Sequence, residues 1–304
     1  MSRRLQMLQV ARLARRTLGD SAALVTRFLE SLATAEGGYA NRDGRADLYY
    51  TPFALDGLAA LDALPTEEND PATAHRTRDW LTRFGAGDSL DFVHRCCLAR
   101  AWASQPAAAW PESERTALAR QIETNRAADG GYATQPGLST GSAYGCFLAI
   151  NAFADLGRPI VSRAEREALA RSLGGLRSDD GGWANAAGQP VGSTTATAAA
   201  IAALVSLEMP VPDGAAEFLL AQRHPAGGFM AAPDVPLPDL LSTAVAVHAL
   251  DAIETPWRDS REMLLDFLDS LWSAEGGFHG SWADDHVDAE YTFYGLVALG
   301  HASV

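Results

Sequence analysis

Hydrophobic and polar positions along this chain form two kinds of helical segment. The first kind carries an apolar stripe on one side, as in 23–32, 162–176 and 261–272, which is typical of a half-exposed helix. The second kind is apolar nearly all round, which is typical of a helix buried on every side. Segments of the second kind recur at 48–64, 90–103, 140–156, 194–207, 240–253 and 289–301. The pattern therefore predicts outer and inner helices in alternation.

A Gly-Gly-aromatic triplet follows most of the half-exposed segments. Five triplets begin at Gly37, Gly130, Gly181, Gly227 and Gly276, with spacings of 93, 51, 46 and 49 residues. Because the first spacing is nearly double the others, we expect a degenerate sixth unit near 84–87. Paired glycines permit the positive φ angles at which helices commonly end. The spacing thus predicts six units of about 48 residues, a period typical of repeat architectures.

Six helix pairs can close into a ring, so we predict an all-α fold, an (α/α)6 toroid of six inner and six outer helices. An amphipathic N-terminal helix over residues 1–20 precedes a single toroid domain of six repeats over 21–304. An open superhelical stack has the same periodicity and is the alternative architecture.

Composition narrows the classes of function. The 304 residues include 24 basic and 38 acidic ones, a net charge of −14, which argues against a nucleic-acid binder and an anionic-membrane binder. Cys96, Cys97 and Cys146 match neither a disulfide framework nor a zinc pattern and favour a reducing cytoplasm. The longest nearly apolar run, 196–207, is shorter than the ~20 residues that span a bilayer. The arginine-rich N-terminal helix is a candidate surface for a protein partner.

The repeats resemble the α/α-toroid superfamily, which includes the β subunits of protein prenyltransferases and class II terpene cyclases such as squalene–hopene cyclase. The motifs that carry the resemblance are Asp-Gly-Gly-Tyr at 129–132, Asp-Gly-Gly-Trp at 180–183 and Glu-Gly-Gly-Phe at 275–278. The resemblance covers essentially the whole chain. It implies a closed barrel with a deep apolar pocket for an isoprenoid substrate.

The resemblance also implies which catalytic groups to look for. Prenyltransferases hold zinc with an Asp, a Cys two residues later and a His before Thr in the last repeat. Asp239 matches the first ligand, but Leu241 and Tyr291 stand at the other two positions. A catalytic zinc needs three protein ligands, so zinc is not expected here.

Two further family features are missing from the sequence. The basic residues that clamp a diphosphate have no counterpart in 231–238, and Ser139 stands at the position of the family's histidine. The Asp-x-Asp-Asp acid of class II cyclases aligns with 191–194 and 239–242, and neither stretch carries the middle acid. The chain thus lacks both standard active sites of the superfamily.

A set of acids in equivalent positions remains. Asp47, Asp91, Asp239 and Asp288 each stand at the start of an inner helix. Such residues can cap the helix by accepting backbone N–H bonds. In a toroid they could also converge on one pocket mouth, where a carboxyl group with a raised pKa can act as a general acid. Asp239 is the leading candidate for this role.

Other candidate site residues lie near the same helix starts. Aromatic rings there can line the cavity and stabilise a carbocation by cation–π attraction, or they can simply pack in the core. Ser242 could bind Asp239, and His94 could pair with Asp91. The predicted binding residues are Tyr49, Tyr50, Phe53, Phe92, His94, Tyr144, Phe147, Ser242, Tyr291, Phe293 and Tyr294.

An Asp-Asp-x-x-Asp spacing occurs at Asp284, Asp285 and Asp288. Carboxylate oxygens suit Mg²⁺, which could hold a diphosphate, so this is a candidate magnesium site. A solvated acidic loop is the alternative interpretation.

Three hypotheses of function follow. The chain is a terpenoid cyclase or isomerase that uses a non-standard Asp as general acid, which we favour. Alternatively, it is a zinc-free, magnesium-assisted enzyme similar to a prenyltransferase β subunit. A third possibility is a non-catalytic isoprenoid-binding or partner subunit that docks through its N-terminal helix.

Overall fold

A computed structural model describes residues 3–304, so the first two residues of the predicted N-terminal helix lie outside it. Within this range a two-stranded antiparallel ribbon pairs β1 (Phe229–Met230) with β2 (Pro238–Asp239). The α-helices of the same range are α1 (Arg3–Leu18), α2 (Ala22–Ser31), α3 (Thr51–Ala60), α4 (Pro71–Thr82), α5 (Phe92–Trp102), α6 (Glu112–Glu123), α7 (Ala143–Asp155), α8 (Arg163–Gly174), α9 (Thr194–Ser206), α10 (Ala215–Ala221), α11 (Leu240–Ala252), α12 (Arg261–Ser270) and α13 (Ala289–Ala302).

The inner helices α3, α5, α7, α9, α11 and α13 form a closed ring. Each packs against the next, and α13 returns to pack against α3. The even-numbered helices lie outside this ring and bury one face each, as their one-sided apolar stripes require. The predicted all-α (α/α)6 toroid is therefore confirmed, and the ring closes where an open stack would leave two free ends.

The Gly-Gly-aromatic triplets join neighbouring repeats. Gly37 has a φ of 113°, and a Cβ atom there would lie 2.1 Å from the carbonyl oxygen of Arg76 on the next outer helix. Gly276 has a φ of 97°, and a Cβ atom there would lie 2.4 Å from the carbonyl oxygen of Leu24 on α2. Only glycine fits at such positions. The second contact joins the last repeat to the first and so helps to close the ring.

The aromatic residue of each triplet is fixed to an inner helix. Its backbone N–H donates to a threonine hydroxyl in four repeats, for example from Trp183 to Thr197 at 2.9 Å, and to the Sγ atom of Cys146 in another. The ring itself is fully buried, as in Tyr132 and Trp183. The triplet therefore connects an outer helix, an inner helix and the next repeat.

Helix α1 closes one end of the barrel. Its buried residues Leu8, Ala11 and Ala14 pack where the inner helices end, mainly against α13 and α3. The backbone approach is close, since a Cβ atom at Gly300 would lie 2.0 Å from the Val10 carbonyl oxygen. The apolar face of α1 is thus buried within the chain, and a protein partner for this helix stays a prediction. None of the helices in residues 3–304 has the length and apolar character to cross a membrane.

A buried ion pair anchors α1. Asp56 on α3 is completely buried, and its Oδ1 accepts a hydrogen bond from Nε of Arg4 at 2.8 Å. The other two nitrogens of Arg4 donate to the Ala103 carbonyl at 3.3 Å and to the Ser104 hydroxyl at 2.6 Å. Arg100 on α5 donates from Nε to Oδ2 of Asp56 at 2.8 Å. One carboxylate therefore links α1, α3 and α5.

We predict that Arg4→Ala lowers the free energy of unfolding by about 3 kcal/mol, because it removes one partner of a buried charge. Arg15→Ala on the same helix is the matched control. Its ion pair with Asp62 is half exposed, so the loss should stay below about 1 kcal/mol. Urea unfolding of both variants measures the difference. Equal losses would mean that the Asp56 pair does not anchor α1.

Candidate functional site

A cavity of about 410 Å³ runs along the axis of the barrel. This volume lies in the range of small-molecule binding sites. One wall is formed by alanines of α9, including Ala198 and Ala202, whose small side chains leave the space open. Five aromatic residues also line it: Tyr49, Phe53, Tyr144, Phe147 and Tyr294. The lining is therefore mainly apolar, with a small number of polar groups.

The polar groups are distributed along the length of the cavity. Glu290 lies at the end where the inner helices begin, as the second residue of α13. Asp155, the last residue of α7, lies at the opposite end together with Arg4 and Met7 of α1. Arg100 of α5 also lines the cavity. The site thus has a carboxyl group at each end.

Glu290 is held in place by Tyr49, whose hydroxyl donates to Oε1 at 2.7 Å. Burial raises the pKa of Glu290 to about 7, against the opposing effects of the Tyr49 hydrogen bond and the Arg100 charge. The raised pKa favours the protonated form of Glu290. A carboxyl group in this state can donate a proton to a bound molecule.

Asp155 is the second acid of the cavity. Burial raises its pKa to about 7, although the nearby charges of Arg4 and Arg100 oppose the shift. Its position beside the two arginines distinguishes it from Glu290, which lies next to tyrosines. The two acids can therefore serve different functions in one cavity.

The four acids predicted from the sequence do not line this cavity. Asp91, Asp239 and Asp288 cap α5, α11 and α13. Each accepts a hydrogen bond from the backbone N–H of the residue three positions later, at 2.9, 2.7 and 2.8 Å respectively. Asp47 precedes α3 and accepts the N–H of Tyr49 at 2.7 Å. These contacts are those expected of acids that cap helices. A side chain that folds back over the end of its own helix is not directed along the barrel axis.

Asp239, the leading candidate acid, has both carboxylate oxygens engaged by one residue. Oδ1 accepts the backbone N–H of Ser242 and Oδ2 accepts its hydroxyl, both at 2.7 Å. Burial raises the pKa of Asp239, and these hydrogen bonds oppose the shift. The expected pairing with Ser242 is present, but it serves the start of α11.

The predicted binding residues divide into two groups. Tyr49, Phe53, Tyr144, Phe147 and Tyr294 line the cavity, whereas Tyr50, Phe92, His94, Ser242, Tyr291 and Phe293 do not. Phe92 and Phe293 are buried in the core. His94 binds the exposed Asp91 through Nδ1 at 2.9 Å. Core packing therefore accounts for Phe92 and Phe293, and the helix caps formed by Asp91 and Asp239 account for His94 and Ser242.

Two of the three candidate magnesium residues pair with an arginine. Arg42 of the first repeat donates to Asp284 at 2.7 Å and to Asp288 at 2.8 Å, while Asp285 is exposed. Across residues 3–304 no three His, Cys, Asp or Glu side chains are grouped to hold a metal ion. The magnesium site and the absence of zinc stay predictions, and in this arrangement Arg42 connects the first and last repeats.

A chain of buried polar groups leads from the cavity wall toward the surface. His248 lines the cavity, and its Nδ1 lies 2.9 Å from Nε2 of His301. Nδ1 of His301 lies 2.6 Å from Asp251. Although burial opposes it, hydrogen bonds from His301, Trp257 and Arg258 lower the pKa of Asp251 to about 2. Asp251 is therefore ionised, and His301 donates to it from Nδ1.

Comparison with known proteins places the chain in a family. Residues 137–214 and 197–302 match the prenyltransferase alpha-alpha toroid domain, and together these segments cover more than half of the sequence. The chain belongs to this family. The resemblance noted from the repeats is thereby confirmed. No curated protein matches the sequence.

Solved structures share the toroid fold over nearly the whole chain. Candida albicans protein geranylgeranyltransferase-I complexed with GGPP is 13% identical, with a TM-score of 0.66 over 91% of this chain and 90% of its own. A single-residue variant of type II terpene cyclase MstE from Scytonema, in complex with geranylgeranyl dihydroxybenzoate, is 13% identical, with a TM-score of 0.62 over 95% of this chain and 97% of its own. The polysaccharide lyase BACCELL_00875 is 10% identical, with a TM-score of 0.56 over 93% and 97%. At these identities the likeness is one of fold.

The raised pKa of Glu290 predicts a pH-dependent stability in this toroid-family chain. The folded protein holds the Glu290 proton more tightly than the unfolded chain does, so this residue destabilises the fold as pH rises from about 4.5 to about 7. Glu290→Gln cannot ionise and still accepts the Tyr49 hydrogen bond. Relative to the wild type, the variant should gain stability with rising pH, up to about 3 kcal/mol.

Urea unfolding at pH 5, 6.5 and 8 measures this gain, with the exposed Glu275→Gln as control. A difference between variant and wild type that does not change with pH would contradict the burial of an ionisable carboxyl group at position 290.

Proposed function

We propose that this protein is an isoprenoid-processing enzyme, a terpenoid cyclase or isomerase in which Glu290 is the general acid. The observation that carries the proposal is the Glu290 carboxyl group, held by Tyr49 at the end of a mainly apolar and aromatic cavity. The proposal assigns to Glu290 the role that the sequence suggested for Asp239, since Asp239 caps α11 and does not line the cavity.

The lining favours a long apolar ligand. Each CH₂ group moved from water into such a cavity contributes about 0.8 kcal/mol. The ring faces that line the cavity can also attract a carbocation, each by about 0.5–2 kcal/mol. An isoprenoid chain supplies both the apolar surface and the alkenes from which a cation forms.

The chemistry begins with a proton on Glu290. Tyr49 donates to Oε1, so the acid proton is carried by Oε2. This proton forms a C–H bond with the electron pair of an alkene, and the neighbouring carbon becomes a cation. The next alkene of the chain can attack that cation, and loss of a proton from an adjacent carbon then forms a new alkene. One proton enters and one leaves, so the product is an isomer of the substrate.

Neighbouring proteins support the isoprenoid part of the proposal. The named ligands of the terpene cyclase and the geranylgeranyltransferase both carry a geranylgeranyl chain. A polysaccharide lyase has a similar fold, so the fold alone does not decide between the two substrate classes. The mainly apolar lining favours an isoprenoid over a sugar, which needs many hydrogen-bonding partners.

Turnover in D₂O tests proton transfer from Glu290 to the substrate. Incubated with geranylgeraniol, geranylgeranoic acid and geranylgeranyl diphosphate separately, the wild type should convert at least one to an isomer that carries a single new C–D bond. Glu290→Gln should lower the rate by a factor of about 10²–10⁴, the usual contribution of a general acid. Mass spectrometry of the extracted products measures both effects.

Asp239→Asn is the matched control, because asparagine also caps helices well and should leave the rate nearly unchanged. A fully active Glu290→Gln variant would remove Glu290 as the acid. Release of diphosphate without isomerisation would favour the prenyltransferase-like alternative, and binding without any product would favour the carrier.

A further inference from the structure

We propose that Arg100 forms a binding site for a carboxylate inside the cavity, so that the natural ligand is an isoprenoid acid or an isoprenoid joined to a carboxylate-bearing group. The isoprenoid part of this inference rests on the proposed function. The carboxylate part rests on the contacts of Arg100 itself.

The guanidinium group of Arg100 is fixed on three sides. Nε donates to Asp56 at 2.8 Å, and the central carbon lies 4.4 Å from the ring centre of Phe53 and 5.3 Å from that of Phe293. A group held in this way loses little conformational freedom when a ligand binds. The side chain also lines the cavity.

The guanidinium group of Arg100 also has N–H donors that the described part of the protein does not use. Within residues 3–304, the hydrogen bonds of Arg100 engage Nε alone, so the two terminal nitrogens retain four N–H groups. The side chain is 23% exposed and lines the cavity. A carboxylate matches such a planar fork, since its two oxygens accept two parallel N–H bonds.

The positive charges of Arg4 and Arg100 also favour binding of an anion. Asp56 is the shared partner of Arg4 and Arg100, so two positive charges face one negative charge in the interior. Asp155 and Glu290 also line the cavity, but burial raises the pKa of both carboxyl groups and so favours their neutral forms. A buried charge without a full partner is costly, and a ligand carboxylate would balance it.

The number of available donors favours a carboxylate over a diphosphate. Arg4 also lines the cavity, but all three of its nitrogens are engaged by Asp56, Ala103 and Ser104. Arg100 therefore presents one fork with one charge. A diphosphate carries more charge than one fork can balance, whereas a carboxylate fits it.

Carboxylate binding would also prepare the acid. The positive charge of Arg100 lowers the pKa of Glu290 and so opposes protonation. A carboxylate on Arg100 cancels this effect and favours the protonated form of Glu290. The ligand would thereby favour the state of the enzyme that can transfer a proton to it.

The test compares two ligands of equal chain length by calorimetry, geranylgeranoic acid and the neutral geranylgeraniol. The wild type should bind the acid about 10- to 100-fold more tightly, the fold-change expected for hydrogen bonds to a charged group. Arg100→Gln should reduce this preference to less than about threefold. Arg4 stays paired with Asp56 in that variant, so we expect it to fold, and its melting curve checks this.

Three further variants sharpen the result. Arg95→Gln, on the same helix but bonded to backbone carbonyls outside the cavity, should keep the full preference. Arg100→Lys keeps the charge but has no planar fork, so it should lose part of the preference for the acid. If Arg100→Gln does not fold, the affinities of Arg100→Lys test the inference instead. Glu290→Gln should keep the preference even where turnover is lost, which separates this inference from the proposed function.

Equal affinity of the wild type for acid and alcohol, or no binding of either, would overturn the inference. A preference that persists in Arg100→Gln and Arg100→Lys would do the same. Palmitic acid is the last probe. If it binds as tightly as geranylgeranoic acid and depends equally on Arg100, the carboxylate site stands and the isoprenoid assignment falls.

Discussion

The charge of Asp56 is the constraint on which much of this structure depends. A fully buried carboxylate must be paired, because an ion without partners in the interior costs several kcal/mol. Arg4 and Arg100 supply the partners from opposite sides, one from the helix that closes the barrel and one from the inner ring. The same contacts therefore place α1 over the end of the cavity and fix a guanidinium group inside it. Closure of the barrel and electrostatics of the cavity have a common origin.

Burial then determines what the other ionisable groups can do. Glu290 and Asp155 lie in a mainly apolar lining that disfavours their charged forms, so both have a pKa near 7. Asp288 is only two residues from Glu290, yet it caps α13 and pairs with Arg42. Two residues correspond to about 200° around a helix, so these two side chains lie on nearly opposite sides of α13. The surroundings, more than the residue type, distinguish a structural acid from a candidate catalytic acid.

Packing between repeats also decided how much of the fold and of the site could be predicted from the sequence. The spacing of the glycine triplets and the two kinds of helical segment predicted six helix pairs, because packing between repeats imposes one period along the chain. An open stack has the same period, so the expectation of a closed barrel came from the resemblance of the repeats to the toroid superfamily. Five of the eleven predicted binding residues line the cavity, since aromatic residues early in inner helices face either the axis or the neighbouring helix. Which of the two a given residue faces depends on helix rotation, and the repeat period does not specify it.

The acids of the cavity were missed for a related reason. Equivalence between repeats selects positions that every repeat needs, and helix caps are such positions, as Asp91, Asp239 and Asp288 illustrate. A binding or catalytic site instead uses residues that occur in one repeat only. Glu290 and Asp155 are the acidic residues of the mainly apolar helices α13 and α7, so they are exceptions to the apolar pattern of the inner helices. That exception to the repeat was the available signal.

The fold and the chemistry of this molecule are therefore specified by different residues. Glycines, threonines and capping acids repeat around the ring and build a barrel that proteins with different ligands also have. The residues that break the repeat are the candidates for ligand binding. In this chain they combine an acid beside tyrosines with an arginine that has donors to spare, in a cavity whose remaining lining is mainly apolar. The proposed ligand, with a long apolar chain and one carboxylate, is complementary to these features, and it is inferred from residues that do not repeat around the ring.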